Sequence, residues 1–274
     1  MKSFINSKTI PALVIFSCIP GMLLRLWTRG AGPDESGLFA PKPLAWILLW
    51  LLTAAVAFLI VYAVRGLRNP GTYKDNYPAS LPALLCSLPA SFAMIISGIG
   101  QLKAALAPTQ LRPDVIGLLT GLLAMAAGVC LIVSGVCRMV QSKPFFLLRG
   151  IVCLSFALRL FSLCRGSSNL PQMGIVIFPF LASMALMVAA YHRTCFDVDM
   201  GNRPAFLFWS LMSVYLSVVA IFSFDQPWYY GCCALWMATD LCSLRPLKRR
   251  RPAPAPEAAP VETETAEAAP EAEA

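Results

Sequence analysis

Histidine occurs once in these 274 residues, at His192, and that scarcity closes off much enzyme chemistry. An H-E-x-x-H zinc site, or a His-rich haem or zinc site, needs at least two imidazoles in the chain. Charge is scarce as well: 13% of residues are Asp, Glu, Lys or Arg, against about 25% in a soluble domain. The apolar runs lack the paired aspartates an intramembrane aspartyl protease would use. Carboxylates are too few for a lipid-modifying enzyme that binds divalent metal on one membrane face. A P-loop is missing too, since Gly98-Ile-Gly100-Gln-Leu-Lys103 departs from the phosphate-cradling spacing and reads as a helix end. The ten cysteines form no C-x-x-C pair and no zinc spacing, and nine lie in or beside apolar runs. They read as small packing residues. The expectation is a protein that is not an enzyme and holds no cofactor or metal.

What is present is apolar surface. The chain is 58% hydrophobic with a mean hydropathy of +0.67, more than a water-soluble core of this length can use. The runs are continuous, as in Leu44–Val64, whereas a membrane β-barrel alternates apolar and polar residues. In lipid an unpaired backbone amide costs several kcal/mol, so a continuous run must be helical. The fold class expected is all-α: a polytopic integral membrane bundle of eight transmembrane helices with a disordered C-terminal tail. The spans fall roughly at 10–28, 44–64, 81–101, 113–138, 144–164, 171–192, 204–223 and 227–244. Pro43, Pro144 and Pro204 open three of them just after a polar or basic residue, where the missing N–H sacrifices no helical bond. Interior Pro20, Pro89 and Pro179 predict kinks. The first run ends in Leu-Arg-Leu-Trp-Thr-Arg without the small residues of a cleavage site, so it reads as a retained anchor.

Lys and Arg at the span ends set the orientation. With the N-terminus in the cytoplasm, fifteen of the 22 fall on the inner side, five of them clustered as Arg245, Lys248, Arg249, Arg250 and Arg251. The expectation is both termini in the cytoplasm, in a plasma membrane of bacterial type. Residues 1–245 form the membrane domain, and 246–274 carry the basic cluster followed by a Pro/Ala/Glu-rich tail. That tail holds six of the 14 acids and nothing to bury, so it reads as disordered. The cluster suits anionic lipid head groups. Nucleic acid is not an expected partner, because no binding domain accompanies the cluster.

Arg159 interrupts the fifth span, about 15 Å from Arg149 and 9 Å from Arg165 at 1.5 Å per residue. Ser155 and Ser162 share its face. A guanidinium there costs roughly 2.5–3.5 kcal/mol on insertion scales. The ordinary expectation is that it snorkels to the outer surface; the alternatives are contact with an anion or substrate inside the bundle, and pairing with a buried acid. Ser210, Ser213 and Ser217 line one face of the seventh span, as helix–helix hydrogen bonds or a cavity lining. Gly117, Gly121, Ala124, Gly128 and Gly135 make a small-residue stripe in the fourth span. It faces a similar stripe of Ser80, Ser87, Ser91 and Gly98 in the third, and homodimerisation is the alternative use. Asp240, the only acid inside a span, reads as a hydrated interfacial carboxylate. The segment from His192 to Asn202 reads as a hydrated cytoplasmic turn, since its Asp197-x-Asp199 start fails as a calcium loop.

These features suit a non-catalytic membrane component that anchors, assembles or senses. Its partners would be membrane lipid and a membrane or cytoplasmic protein reached through the tail, with homo-oligomerisation open. The alternative is a carrier, or the substrate-binding membrane subunit of a transporter, for a small molecule, anions included.

Overall fold

Apolar runs too long for loops leave the backbone to satisfy its own amides. In a computed structural model of the chain, the described residues are 9–29, 43–65, 72–107, 114–167, 173–222 and 226–245, and they form helices joined by short links. The elements are α1 (Thr9–Arg29), α2 (Pro43–Val64), α3 (Tyr73–Asn76), α4 (Leu81–Ala105), α5 (Val115–Met139), α6 (Phe146–Ser167), α7 (Met173–Asp197), α8 (Arg203–Ala220) and α9 (Pro227–Cys242). No strand occurs among the described residues. The tail from residue 246, with Lys248, Arg249, Arg250 and Arg251, lies outside them.

Local chemistry sets the helix ends. Ser80 and Asn202 cap α4 and α8 by accepting from the amides of Ala83 and Ala205, each with a proline in the first turn. α5 and α7 stop in the same way. Gln141 and Asp199 each take a left-handed φ of 57°, and paired amide bonds run back to Arg138 and Cys137, and to Phe196 and Cys195. That is the Schellman stop, made here without glycine. Pro20, Pro89 and Pro179 all lie inside continuous helix.

Eight long helices overlie the eight expected runs. Six of them are long and apolar enough to cross a membrane. Of the other two, α1 contributes a shorter apolar stretch over 12–28, and α9 has 16 residues, about 24 Å of rise. The helices alternate in direction. Contacts at one end join the starts of α4, α6 and α8 to the ends of α5, α7 and α9: Arg138 reaches Pro78 and Asp240, Arg149 reaches Asp197, and Arg203 reaches the Arg245 carbonyl. At the other end Arg25, late in α1, lies against Trp46 and Phe178, early in α2 and α7. α8 is the central element, two thirds buried, packed among α1, α2, α7 and α9.

The bundle inverts the usual distribution of polarity. Phe16 and Phe58 are 71% and 74% exposed, while Ser91, Ser210, Ser213 and Ser217 are fully buried. A soluble monomer rarely exposes an apolar patch beyond a few hundred Å²; here apolar side chains cover the outside of most helices. Small residues set the tightest packing. A Cβ added to Gly98 would lie 2.6 Å from the Gly121 carbonyl oxygen, and one added to Gly121 would lie 2.8 Å from that of Gly98. These two backbones approach as closely as glycine permits. Gly128 and Gly135 continue the seam against Ser91, Ile95, Leu84 and Ser87 of α4. Gly117, nearer the start of α5, meets Ala105 and Asp114, and Ala124 is half-buried.

One sequence expectation fails in part at the end of α7. The segment from His192 is helical as far as Asp197, which is buried, and only 198–202 make a mostly exposed turn. Phe196 is fully buried, and burial of that ring holds the last helical turn in place. The link between α2 and α4 also carries α3, a single turn that the hydropathy pattern does not mark.

Candidate functional site

The ends of α5, α7 and α9 and the starts of α4, α6 and α8 converge on a knot of charged and aromatic side chains. Asp240 lies at its centre, in the last turn of α9. Its Oδ1 accepts from Arg138 Nη1 at 2.5 Å and its Oδ2 from Arg193 Nε at 3.0 Å. Arg138 uses its remaining donors on Pro78 O at 3.1 Å and on the Ser243 hydroxyl and carbonyl at 2.8 and 3.2 Å. Arg149 Nη1 donates to Asp197 Oδ1 at 2.9 Å, and Arg193 Nη1 stands 4.0 Å from that same oxygen. None of these five residues exceeds 7% exposure. Burying a charge is tolerable only when it is paired and hydrogen-bonded, and this network meets most of that condition.

Tyr73 and Tyr77 form the floor, with ring centroids 5.4 Å apart. The Arg193 guanidinium sits 3.2 Å from the Tyr77 centroid and that of Arg138 5.0 Å from it. A desolvated cation over an aromatic face gains about 2 kcal/mol. Burial pushes the Tyr77 phenol above its ordinary value, so the ring stays a neutral platform. Phe196 and Phe206 meet Tyr77 edge-on at 5.5 and 6.3 Å, which fixes the platform in the core. Arg203 completes the knot by donating to Asn76 Oδ1 at 2.8 Å and to the Arg245 carbonyl at 2.6 Å.

At its edge, Asp199 accepts from Lys143 Nζ at 2.6 Å and from the Tyr73 amide at 2.9 Å. Those two bonds hold its carboxyl below the usual carboxylate range. At the far end of the bundle, Arg165 Nη1 donates to Asp114 Oδ1 at 2.6 Å, with the same effect on that carboxyl.

Asp240 is therefore not the hydrated interfacial carboxylate its position suggests. Two arginines from helices distant in sequence enclose it, and position along its own helix carries no trace of them. Arg159 does not snorkel either; it is 4% exposed. Its Nη1 donates to Ser97 Oγ at 3.1 Å and to Gln226 Oε1 at 3.4 Å, and its guanidinium lies 3.9 Å from the Tyr229 centroid. Snorkelling is unnecessary where polar and aromatic partners meet the head group at its own depth. Ser155, on the same face, is buried and donates to Val152 O; Ser162 is half-buried. Ser213 donates to Ser210 O, while the Ser210 and Ser217 hydroxyls are buried with no hydrogen bond among the described residues. Thus the structure brings Arg159 together with Ser97 and Gln226, not with the serines of α8. Arg245, the one member of the basic cluster among the described residues, is exposed at the end of the knot.

Arg138, Arg149, Arg193, Arg203 and Asp197 escape a reading based on hydropathy, because each sits within two turns of a helix end and passes for loop charge. One signal was available. The body of the chain has eight acids in all, and Asp197 and Asp240 lie on the same side as most of the arginines, with Arg193 and Asp197 spaced four apart on one helix.

Fold and site together are those of a multi-pass helical bundle suited to a membrane, tied at one end by a buried ionic network. No protein-family model matches the chain, and no curated protein or solved structure matches it.

Proposed function

We propose that the protein crosses the membrane eight times with both termini in the cytoplasm and acts as a non-catalytic component that anchors or assembles a partner. The main support is how the chain leaves the bundle. The Arg245 amide donates to Asn76 O at 3.0 Å and its carbonyl accepts from buried Arg203, so the chain departs from residue 245 at a fixed point. The knot also collects Arg138, Lys143, Arg149, Arg193, Arg203 and Arg245 at one end, the bias expected of a cytoplasmic face. The two carboxylates buried among the described residues, Asp197 and Asp240, are each engaged by arginine, which suits a structural role over acid–base chemistry. Truncation after Arg245 is the test: the reading expects co-purified proteins to be lost while the bundle still folds. An unchanged set would count against it.

A second reading, a carrier for a small anion, draws support from the burial of Arg159 against Ser97 and Gln226. It expects an anionic ligand to raise the melting temperature in detergent and Arg159→Gln to abolish that rise.

A further inference from the structure

A cavity of about 30 Å³ lies between α4, α5, α6, α7 and α9 just inside the knot. One water needs about 10–15 Å³ of such space, so the cavity accommodates a particle the size of one or two waters. Arg138, Arg149, Arg193 and Asp240 line it, with Ser87 and Ser134 between them and Leu131, Val152 and Trp236 as apolar wall.

The charges around it do not balance. Arg138 and Arg193 share Asp240, and Arg149 takes Asp197. Three guanidinium groups thus meet two carboxylates. Lys143 and Asp199, at the edge of the knot, pair with each other. Among the described residues one positive charge is left over in a buried site, which is costly without a counterion. A second, independent observation places the deficit. Arg193 is 4% exposed and lines the cavity, and its Nη1 makes no hydrogen bond among the described residues: it stands 4.0 Å from Asp197 Oδ1, which already accepts from Arg149. The serine protons are already committed, Ser87 to Leu84 O at 2.7 Å and Ser134 to Leu131 O at 2.9 Å. The space therefore asks for an acceptor carrying about one negative charge. We propose that this cavity binds a small inorganic monoanion of halide size, held by Arg193 with Arg138 and Arg149 beside it. The site lies apart from the Arg159 slot, and the proposal is independent of what the C-terminal segment does. Its volume is too small for a phosphate-bearing lipid head group.

The test uses the full-length protein in detergent, with gluconate as the only anion, titrated with chloride or bromide at constant ionic strength. A melting temperature that rises and saturates is expected, by about 5 °C or more at a hundredfold excess over Kd. Bromide should also quench a saturable part of the tryptophan fluorescence, and Trp236→Phe should remove that part. Arg193→Gln should abolish the saturable shift. If that variant does not fold, Ser134→Val, which fills the cavity and leaves every ion pair intact, must abolish the shift while melting within a few degrees of wild type in gluconate. Equal, unsaturating effects of chloride, bromide and phosphate would overturn the proposal. So would a saturable halide shift that survives Ser134→Val, or a larger shift with phosphate than with chloride.

Discussion

Replacing Asp240 by Asn tests the ionic network directly. The substitution keeps shape and most hydrogen-bonding capacity, and it removes one negative charge from between two guanidiniums less than 5% exposed. Removing one partner of a buried pair costs about 3–5 kcal/mol, chiefly because the survivor stays buried and unpaired. Here there are two survivors, Arg138 and Arg193, and Arg138 alone of the two has neutral acceptors in reserve, on Pro78 and Ser243. The expected loss is at the upper part of that range. At about 2–4 °C per kcal/mol for a chain of this size, the melting temperature should fall by roughly 10–20 °C. Because Arg138 Nη1 bonds directly to the carboxylate whose charge is lost, the pair should couple. Arg138→Gln combined with Asp240→Asn should be less damaging than the sum of the two single changes, by about 0.5–3 kcal/mol. Thermal melts of the four proteins in one detergent give both numbers. A single-mutant loss below about 3 °C, where at least twice that is expected, or strict additivity, would refute the view that Asp240 is held as a buried, paired anion.

Other changes probe the helix seam, the surface pair and the topology. Gly121→Leu should force α4 and α5 apart, because even a Cβ there meets the Gly98 carbonyl oxygen at 2.8 Å; a loss of at least about 1–3 kcal/mol is expected from melting. Gly150→Ala, with nothing among the described residues within 4 Å of the new carbon, should instead be neutral or stabilise by up to about 1 kcal/mol through helix propensity. Asp199→Asn should cost no more than about 1 kcal/mol, since its pair with Lys143 is exposed to solvent. The folded carboxyl lies below its ordinary value, so its contribution is present above about pH 4 and disappears as pH falls through the lowered value. Wild-type and Asp199→Asn melting curves should therefore stay apart at neutral pH and converge in acid; divergence in acid would contradict the sign. A reporter fused after Arg245 should show a cytoplasmic location, and an external location would reject the eight-crossing arrangement.

Helix positions are legible because hydropathy is a property of contiguous residues. The Gly117–Gly135 stripe is legible for a related reason: the absence of side chains at helical spacing states how near another backbone can come. The knot is not legible. Whether Asp240 is wet or buried depends on Arg138 and Arg193, 102 and 47 residues earlier, and nothing local to α9 encodes them. Arg159 poses the same difficulty. The 1.5 Å rise gives its depth, but its fate depends on Ser97, Gln226 and Tyr229 arriving at that depth from α4 and the start of α9. α3 escapes because one turn of helix between two spans has no periodicity to detect.

The short strap from Thr72 to Tyr77 has a mechanical consequence. Asn76 receives the Arg203 guanidinium on its side chain and the Arg245 amide on its carbonyl, and Arg203 also reaches the Arg245 carbonyl, so Asn76 and Arg203 together fasten the first turn of α8 to the last link of α9. A pull applied beyond residue 245 would load the middle of the bundle rather than peel α9 from its edge. Asn76→Ala would loosen that mounting by removing the Arg203 bond, while the main-chain bond to Arg245 stays in place.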